Sequence, residues 1–187
     1  MQSGAIQISS MSAPRMSQQS PEAEMERLKK QLGLVHHLSG YGAFREMFKG
    51  DREVVFTSPT SHDGPRSTAT SIYFLLTQPH CVTWHKHLSD EGFYWHAGGK
   101  VKVRILTDGG TLSSVTLGDV VRNEDCMGQA IVPHDTWYCA ELQGGAAYAL
   151  YSAVVTPGFE FRDWIAGERE AMLKAFPQHH DVIIQFT

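Results

Sequence analysis

The stretch Trp84–Gly98 reads WHKHLSDEGFYWHAG, and three of its side chains are metal-ligand types at usable offsets: His85, His87 and Glu91. Residues at i and i+2 of a strand point to one face, so the two histidines can present imidazole nitrogens to the same ion. Ser89-Asp90 can turn the chain and bring Glu91 back beside them. Two neutral imidazoles and one carboxylate form a three-ligand set with open positions. Such a set suits catalytic zinc or, as a facial triad, ferrous iron. Ten histidines in the chain make a lone His-x-His pair weak evidence. Glu91 and Gly98 at their offsets give it weight. The competing reading is a polar strand–turn–strand whose histidines only hydrogen-bond.

The elements that must position this set are legible around it. Ser20 can cap a helix, Pro21 suits its first turn, and Met25, Leu28 and Leu32 recur at helical spacing before Gly33. This predicts a short amphipathic helix on the outside of a sheet. From about Tyr41 the signals become strand-like. Thr70–Leu76 is β-branched and apolar, and Val101, Val103 and Ile105 alternate with Lys102 and Arg104 before a turn at Asp108-Gly109-Gly110. Gly144-Gly145 between Trp137–Leu142 and Ala147–Val155 reads as a hairpin. Short strands with Gly or Asp turns suggest a sandwich or barrel. A helix is expected over Gly167–Ala175, and one more strand over Asp181–Phe186.

Composition bounds the function. The chain has 187 residues and a net charge of −4, which suits one domain and argues against a general nucleic-acid binder. Cys81, Cys126 and Cys139 form no CxxC pair and read as reduced, buried thiols. No apolar run reaches the roughly 20 residues that cross a bilayer, and the N-terminus lacks a signal-peptide pattern, so a cytoplasmic protein without membrane contact is expected. Residues 1–20, rich in Ser, Gln, Met and Pro, are expected to be a disordered tail before a single domain over 21–187.

His85-x-His87-x3-Glu91-x6-Gly98 resembles the first motif of the cupin superfamily at every offset. The wider chain resembles the DUF985 (cupin-5) branch. The matching pieces include Phe44-Arg45-Glu46, Arg66 with Thr70–Leu76, Trp84-His85, Ser89-Asp90-Glu91, Gln129 with Val132-Pro133, Trp137 and Pro157-Gly158-Phe159. The resemblance implies an all-β fold, a cupin-type double-stranded β-helix or jelly-roll barrel, with short flanking N- and C-terminal helices. It also implies one divalent metal ion (Zn, Fe, Mn or Ni) and a homodimer. A second cupin motif, Pro-x-Gly-x-x-His, corresponds to Pro133–Tyr138. Asp135 stands in place of its glycine and Tyr138 in place of its histidine. The fourth metal position therefore falls to Tyr138, His134 or water.

Tyr138 is also the candidate catalytic group, because a cation beside a phenol favours phenolate and makes it a base. The alternative is a tyrosine that caps the barrel through a hydrogen bond. Phe93 and Trp95 share parity with Glu91 and are the candidate substrate-binding walls, with core packing as the alternative. Trp84 has the opposite parity and suits a dimer interface. His96 reads as surface or interface, Arg45 and Glu46 as a structural ion pair, and His36-His37 and His179-His180 as incidental. The resulting expectation is a lyase or isomerase that uses a metal as Lewis acid on a carbonyl- or carboxylate-bearing small molecule. The site has some similarity to cupin dimethylsulfoniopropionate lyases. The alternatives are an Fe(II) dioxygenase and a non-catalytic cupin that binds a sugar or small acid.

Overall fold

Ser20 opens the first element as its composition suggests. Its hydroxyl accepts the Ala23 N–H at 3.3 Å, Pro21 occupies the first turn, and Gly33 ends helix α1 (Pro21–Leu32) in the left-handed conformation at φ 63°. These contacts belong to a computed structural model that describes residues 20–37, 40–57 and 62–187. Residues 1–19 of the expected tail lie outside the described residues. Leu28 on α1 packs against Ala43, Leu75, Tyr148 and Leu150, the outer face of a sheet.

Among the described residues thirteen strands follow: β1 (Val35–His36), β2 (Gly42–Lys49), β3 (Glu53–Val54), β4 (Arg66–Ser67), β5 (Thr70–Thr77), β6 (Val82–His87), β7 (Asp90–Gly98), β8 (Val101–Leu106), β9 (Leu112–Leu117), β10 (Gln129–Val132), β11 (Trp137–Leu142), β12 (Tyr148–Thr156) and β13 (Trp164–Ala166). Two antiparallel sheets carry the fold, one in the order β1-β2-β5-β12-β7-β10 and the other β13-β6-β11-β8-β9. Their inner faces enclose the main core, including Phe74, Phe93, Val101, Val103, Leu117, Tyr138 and Tyr151. β5 and β12 bury both faces, one toward this core and the other under α1. That explains their near-continuous apolar runs.

The expected hairpin across Gly144-Gly145 is not formed. β11 pairs with β6 and β8, whereas β12 pairs with β5 and β7, so the glycine turn carries the chain from one sheet to the other. Adjacent strands in sequence became partners of other strands, which local periodicity does not encode. The expected C-terminal strand is also replaced. The segment forms α3 (His180–Gln185), after α2 (Arg169–Ala175). Ile183 and Phe186, three residues apart, both turn inward onto Trp84, Leu106 and Cys139. An apolar run this short satisfies either period, and the open face of the second sheet favoured the helix. The same packing removes Trp84 from any dimer face. It is 1% exposed, and its indole N–H donates to Val182 O at 3.2 Å.

A buried ion pair ties down the edge of the second sheet. Arg66 Nε and Nη2 donate to Asp163 Oδ2 and Oδ1, each at 2.6 Å, with the two residues 1% and 3% exposed. Arg66 Nη1 donates to the carbonyls of Asp63, Gly64 and Pro65. Asp163 closes a 3-10 turn that leads into β13, and β13 pairs Trp164 with His87 and Ala166 with His85. The pair thus fixes the strand beside the candidate ligands. Asp163→Asn leaves the guanidinium charge buried and uncompensated, at a cost of about 3 kcal/mol. Calorimetry should show the melting temperature lowered by roughly 6–12 °C. A shift inside about 2 °C would mark the pair as incidental.

Candidate metal centre

The two histidines lie on β6 with their side chains facing between the sheets, as the i, i+2 spacing predicts. The carbonyl of Thr83 lies 2.7 Å from His85 Nδ1. A carbonyl only accepts, so Nδ1 carries the proton and Nε2 keeps its lone pair for another partner. His87 is buried, and neither of its ring nitrogens has a hydrogen-bond partner. Glu91 is the second residue of the return strand β7 and places Oε2 at 3.7 Å from His87 Nε2. One ligand atom from each of the three residues lies within 4.8 Å of the others.

This arrangement answers whether a divalent ion fits. A buried polar atom left without a partner costs roughly 1–3 kcal/mol. His87 has two such atoms, held beside a buried carboxylate and an oriented imidazole. Coordination through one ring nitrogen relieves one of them, and the donor set of two imidazoles and one carboxylate suits a divalent transition metal. The residues present fit the group.

Electrostatics prepare the same set. Burial holds both imidazoles down at about 4, with His87 adding to the effect on His85, so both are neutral at pH 7. Burial pushes the Glu91 carboxyl up, against the opposing pull of the Tyr138 hydrogen bond and His85. Metal ligands must be deprotonated, so protons compete at each group only below its own pKa. Affinity measured by chelator competition should therefore fall by about tenfold per pH unit below the raised Glu91 pKa, and more steeply below about pH 4 as the imidazoles charge. A pH-independent affinity down to pH 4 would contradict Glu91 as a ligand.

Tyr138 comes to the site from the neighbouring strand, on the same inner face of the second sheet as His85. β11 pairs it with His85 on β6 and Ile105 on β8. Its hydroxyl donates a hydrogen bond to Glu91 Oε2. Burial, then the neighbouring Glu91 charge, raises the phenol well above its ordinary value. His134 lies elsewhere. Its side chain is 63% exposed beside Asp135, and its backbone N–H is held by the Asp90 carboxylate at 2.8 Å. Asp135, which replaces the motif glycine, is the only non-glycine with a positive φ among the described residues, at 55°. The Asp135 N–H donates to His87 O at 2.7 Å, which ties this turn to the ligand strand.

The three candidate ligands and Tyr138 share one cavity of about 420 Å³. Phe93 lines it, with its ring edge-on to Tyr138 at 5.5 Å between centroids. Trp95 does not. A bulge between β7 and β12 falls beside it, and its indole N–H donates to Gly99 O at 3.0 Å. His96 is exposed and bonded to Ser152 Oγ at 2.6 Å. Arg45 forms no ion pair with Glu46. It donates to Leu32 O at 2.9 Å near the end of α1, while Glu46 faces the cavity.

Other lining residues gave no sequence signal of their own. His37 lines the cavity edge-on to Phe44 and Phe74, although the His36-His37 pair reads as incidental. Adjacent strand residues diverge, so one member of such a pair can face inward. Phe159 and Trp164 pack their rings on His87 and His85 at 5.3 and 5.7 Å. Pro157-Gly158-Phe159 was visible only as part of a family pattern, with no hint of this contact.

A family described as Cupin superfamily (DUF985) matches residues 26–166. A protein from Shewanella oneidensis is 26% identical over 87% of this chain and 96% of its own, with a TM-score of 0.73. A protein of Leishmania major, described as hypothetical, is 26% identical over 87% of this chain and 97% of its own, with a TM-score of 0.76. The formate complex of Lactobacillus farciminis oxalate decarboxylase is similar in fold alone, at 13% identity over 84% of this chain and 42% of its own, with a TM-score of 0.51. No curated protein matches the chain. The sequence motif, the two facing antiparallel sheets with helices at the ends, and the family match over residues 26–166 agree: this chain belongs to the DUF985 family of the cupin superfamily.

Proposed function

We propose that the chain is a metal-dependent enzyme of the lyase or isomerase type, acting on a carbonyl- or carboxylate-bearing small molecule. One observation carries the reading: His87 has two orphaned ring nitrogens, buried beside Glu91 and His85 at the wall of a cavity of about 420 Å³. A divalent ion bound by His85, His87 and Glu91 would polarise a substrate oxygen and place a positive charge near Tyr138 that favours phenolate.

The chain's own residues supply the rest. Thr83 O holds the His85 ring in one tautomer and orientation. The Tyr138 hydroxyl orients Glu91 and carries a proton in direct contact with that carboxylate. That proton sits at the phenol oxygen, where it can be exchanged with a substrate carbon or oxygen. Phe159, Phe161 and Trp164 line the same cavity and limit water beside the ligands.

The test is elemental analysis of protein purified without a histidine tag, paired with oxygen-uptake measurements. Zinc, manganese or nickel at about one ion per chain, without oxygen uptake, supports this reading. Iron with oxygen uptake moves the protein to the dioxygenase class. A chain that holds no metal, and takes none up on dialysis, belongs with the non-catalytic binding cupins.

A further inference from the structure

The wall of the cavity is graded along the barrel. His85, His87, Glu91 and Tyr138 occupy one level. On the second sheet Tyr138 pairs with Ile105, Ala140 with Val103 and Leu142 with Val101, and Val101 pairs in turn with Leu117. From Ile105 to Val101 is four residues of strand, roughly 13 Å at the usual rise. The inner end of the cavity at that depth is Val101, Val103 and Leu117, all apolar and with their backbones satisfied in the sheet. Between the two levels the wall is aromatic, from Phe74, Phe93 and Tyr151.

Charge is distributed just as unevenly. Among the described residues no lysine or arginine lines the cavity, and its carboxylates are Glu91 at the ligand set and Glu46. A second anionic group on a bound molecule would find no cation to pair with, and burying it unpaired is expensive. A sugar would need polar partners along its whole length, and the inner end offers none. Hydrocarbon buried there is favourable with every added carbon.

We propose that the site takes a molecule with a single oxygen-bearing head and a hydrocarbon body, branched-alkyl or aryl, with no second charge. The head lies at His85, His87 and Glu91, and the body reaches toward Val101, Val103 and Leu117. The placement of the head rests on the metal reading above. The placement of the body rests on the cavity wall alone.

Calorimetry on the full chain loaded with zinc provides the test. Pyruvate, α-ketoisocaproate and α-ketoglutarate carry the same head with a methyl, an isobutyl and a carboxylate-bearing body. α-Ketoisocaproate should bind at least about tenfold more tightly than pyruvate, and α-ketoglutarate no more tightly than pyruvate. Val103→Thr, nearly the same shape, should narrow the preference for α-ketoisocaproate over pyruvate by about three- to tenfold. α-Ketoglutarate binding as well as α-ketoisocaproate, or a preference untouched by Val103→Thr, would overturn the proposal. A parallel titration of the metal-free chain uses neutral methyl isobutyl ketone against acetone. If the acids fail to bind but the larger ketone is preferred, the metal reading fails and the body assignment stands. If the acids bind only with zinc and without regard to the body, the metal reading stands and this inference fails. If neither acids nor ketones bind, the inference fails as well.

Discussion

The His87→Ala protein should hold less than about a tenth of the metal that the parent chain holds, measured by elemental analysis after identical purification. His87 supplies one of three ligands, and the remaining two make a poor site. The reason to single out this histidine is that its nitrogens have no other employment in the fold. His85 gives one nitrogen to Thr83 O, and Glu91 accepts from Tyr138, whereas both nitrogens of His87 lie buried without a hydrogen bond. A second readout separates loss of metal from loss of fold. An ion that binds only the folded chain stabilises it by mass action, so added metal should raise the parent's melting temperature by several degrees and leave the variant's unchanged. In the absence of metal the variant loses packing against Phe159 but also sheds two unmet polar atoms. The two metal-free proteins should therefore melt within about 2 kcal/mol of each other. Full metal occupancy in His87→Ala would remove the site as drawn.

Turnover of the first substrate identified should fall by about 10²–10⁴ in Tyr138→Phe, the usual cost of a lost general acid or base. The ring remains, so its contacts with His85 and Phe93 persist, at 4.1 and 5.5 Å between centroids. Only the oxygen on Glu91 is lost. The metal-free chain holds that phenol well above its ordinary pKa, through burial and the Glu91 charge, so its proton is firmly in place. A proton carrier must release it, and a nearby cation acts in that direction. The prediction is accordingly a loss of turnover together with retention of metal. A tyrosine that only positions Glu91 predicts another pattern: weaker metal affinity, a stability loss of about 1 kcal/mol from the missing hydrogen bond, and near-normal turnover once the site is saturated. Turnover at saturating metal, metal affinity and melting temperature on one preparation distinguish the two. Near-normal turnover would retire the proton-carrier role.

Local chemistry and short periods made several elements legible before any fold was known. Ser20, Pro21 and Gly33 bound α1, because caps satisfy the helix's own terminal groups. Val101, Val103 and Ile105 set the strand and the inner face of β8 through a period of two. His85 and His87 share a face for the same reason, and the return through Ser89-Asp90 to Glu91 spans only a few residues.

Tertiary structure decided everything that depends on a distant partner. β11 and β12, joined by a turn through Gly144-Gly145, went to different sheets because each found its neighbours far along the chain. Residues 180–185 became a helix because the outer face of the second sheet, with Trp84 on it, needed cover. Trp95 keeps the parity of a cavity residue and packs against the inner core, yet it does not reach the cavity wall, because parity sets the face and not the depth. His37, Phe159 and Trp164 reached the cavity from segments with no ligand pattern of their own. Arg66 met Asp163 across 97 residues. Cap and period signals act within a turn or a strand, whereas these contacts are selected by the burial of whole surfaces and the pairing of buried charge, and both exist only once the sheets have closed.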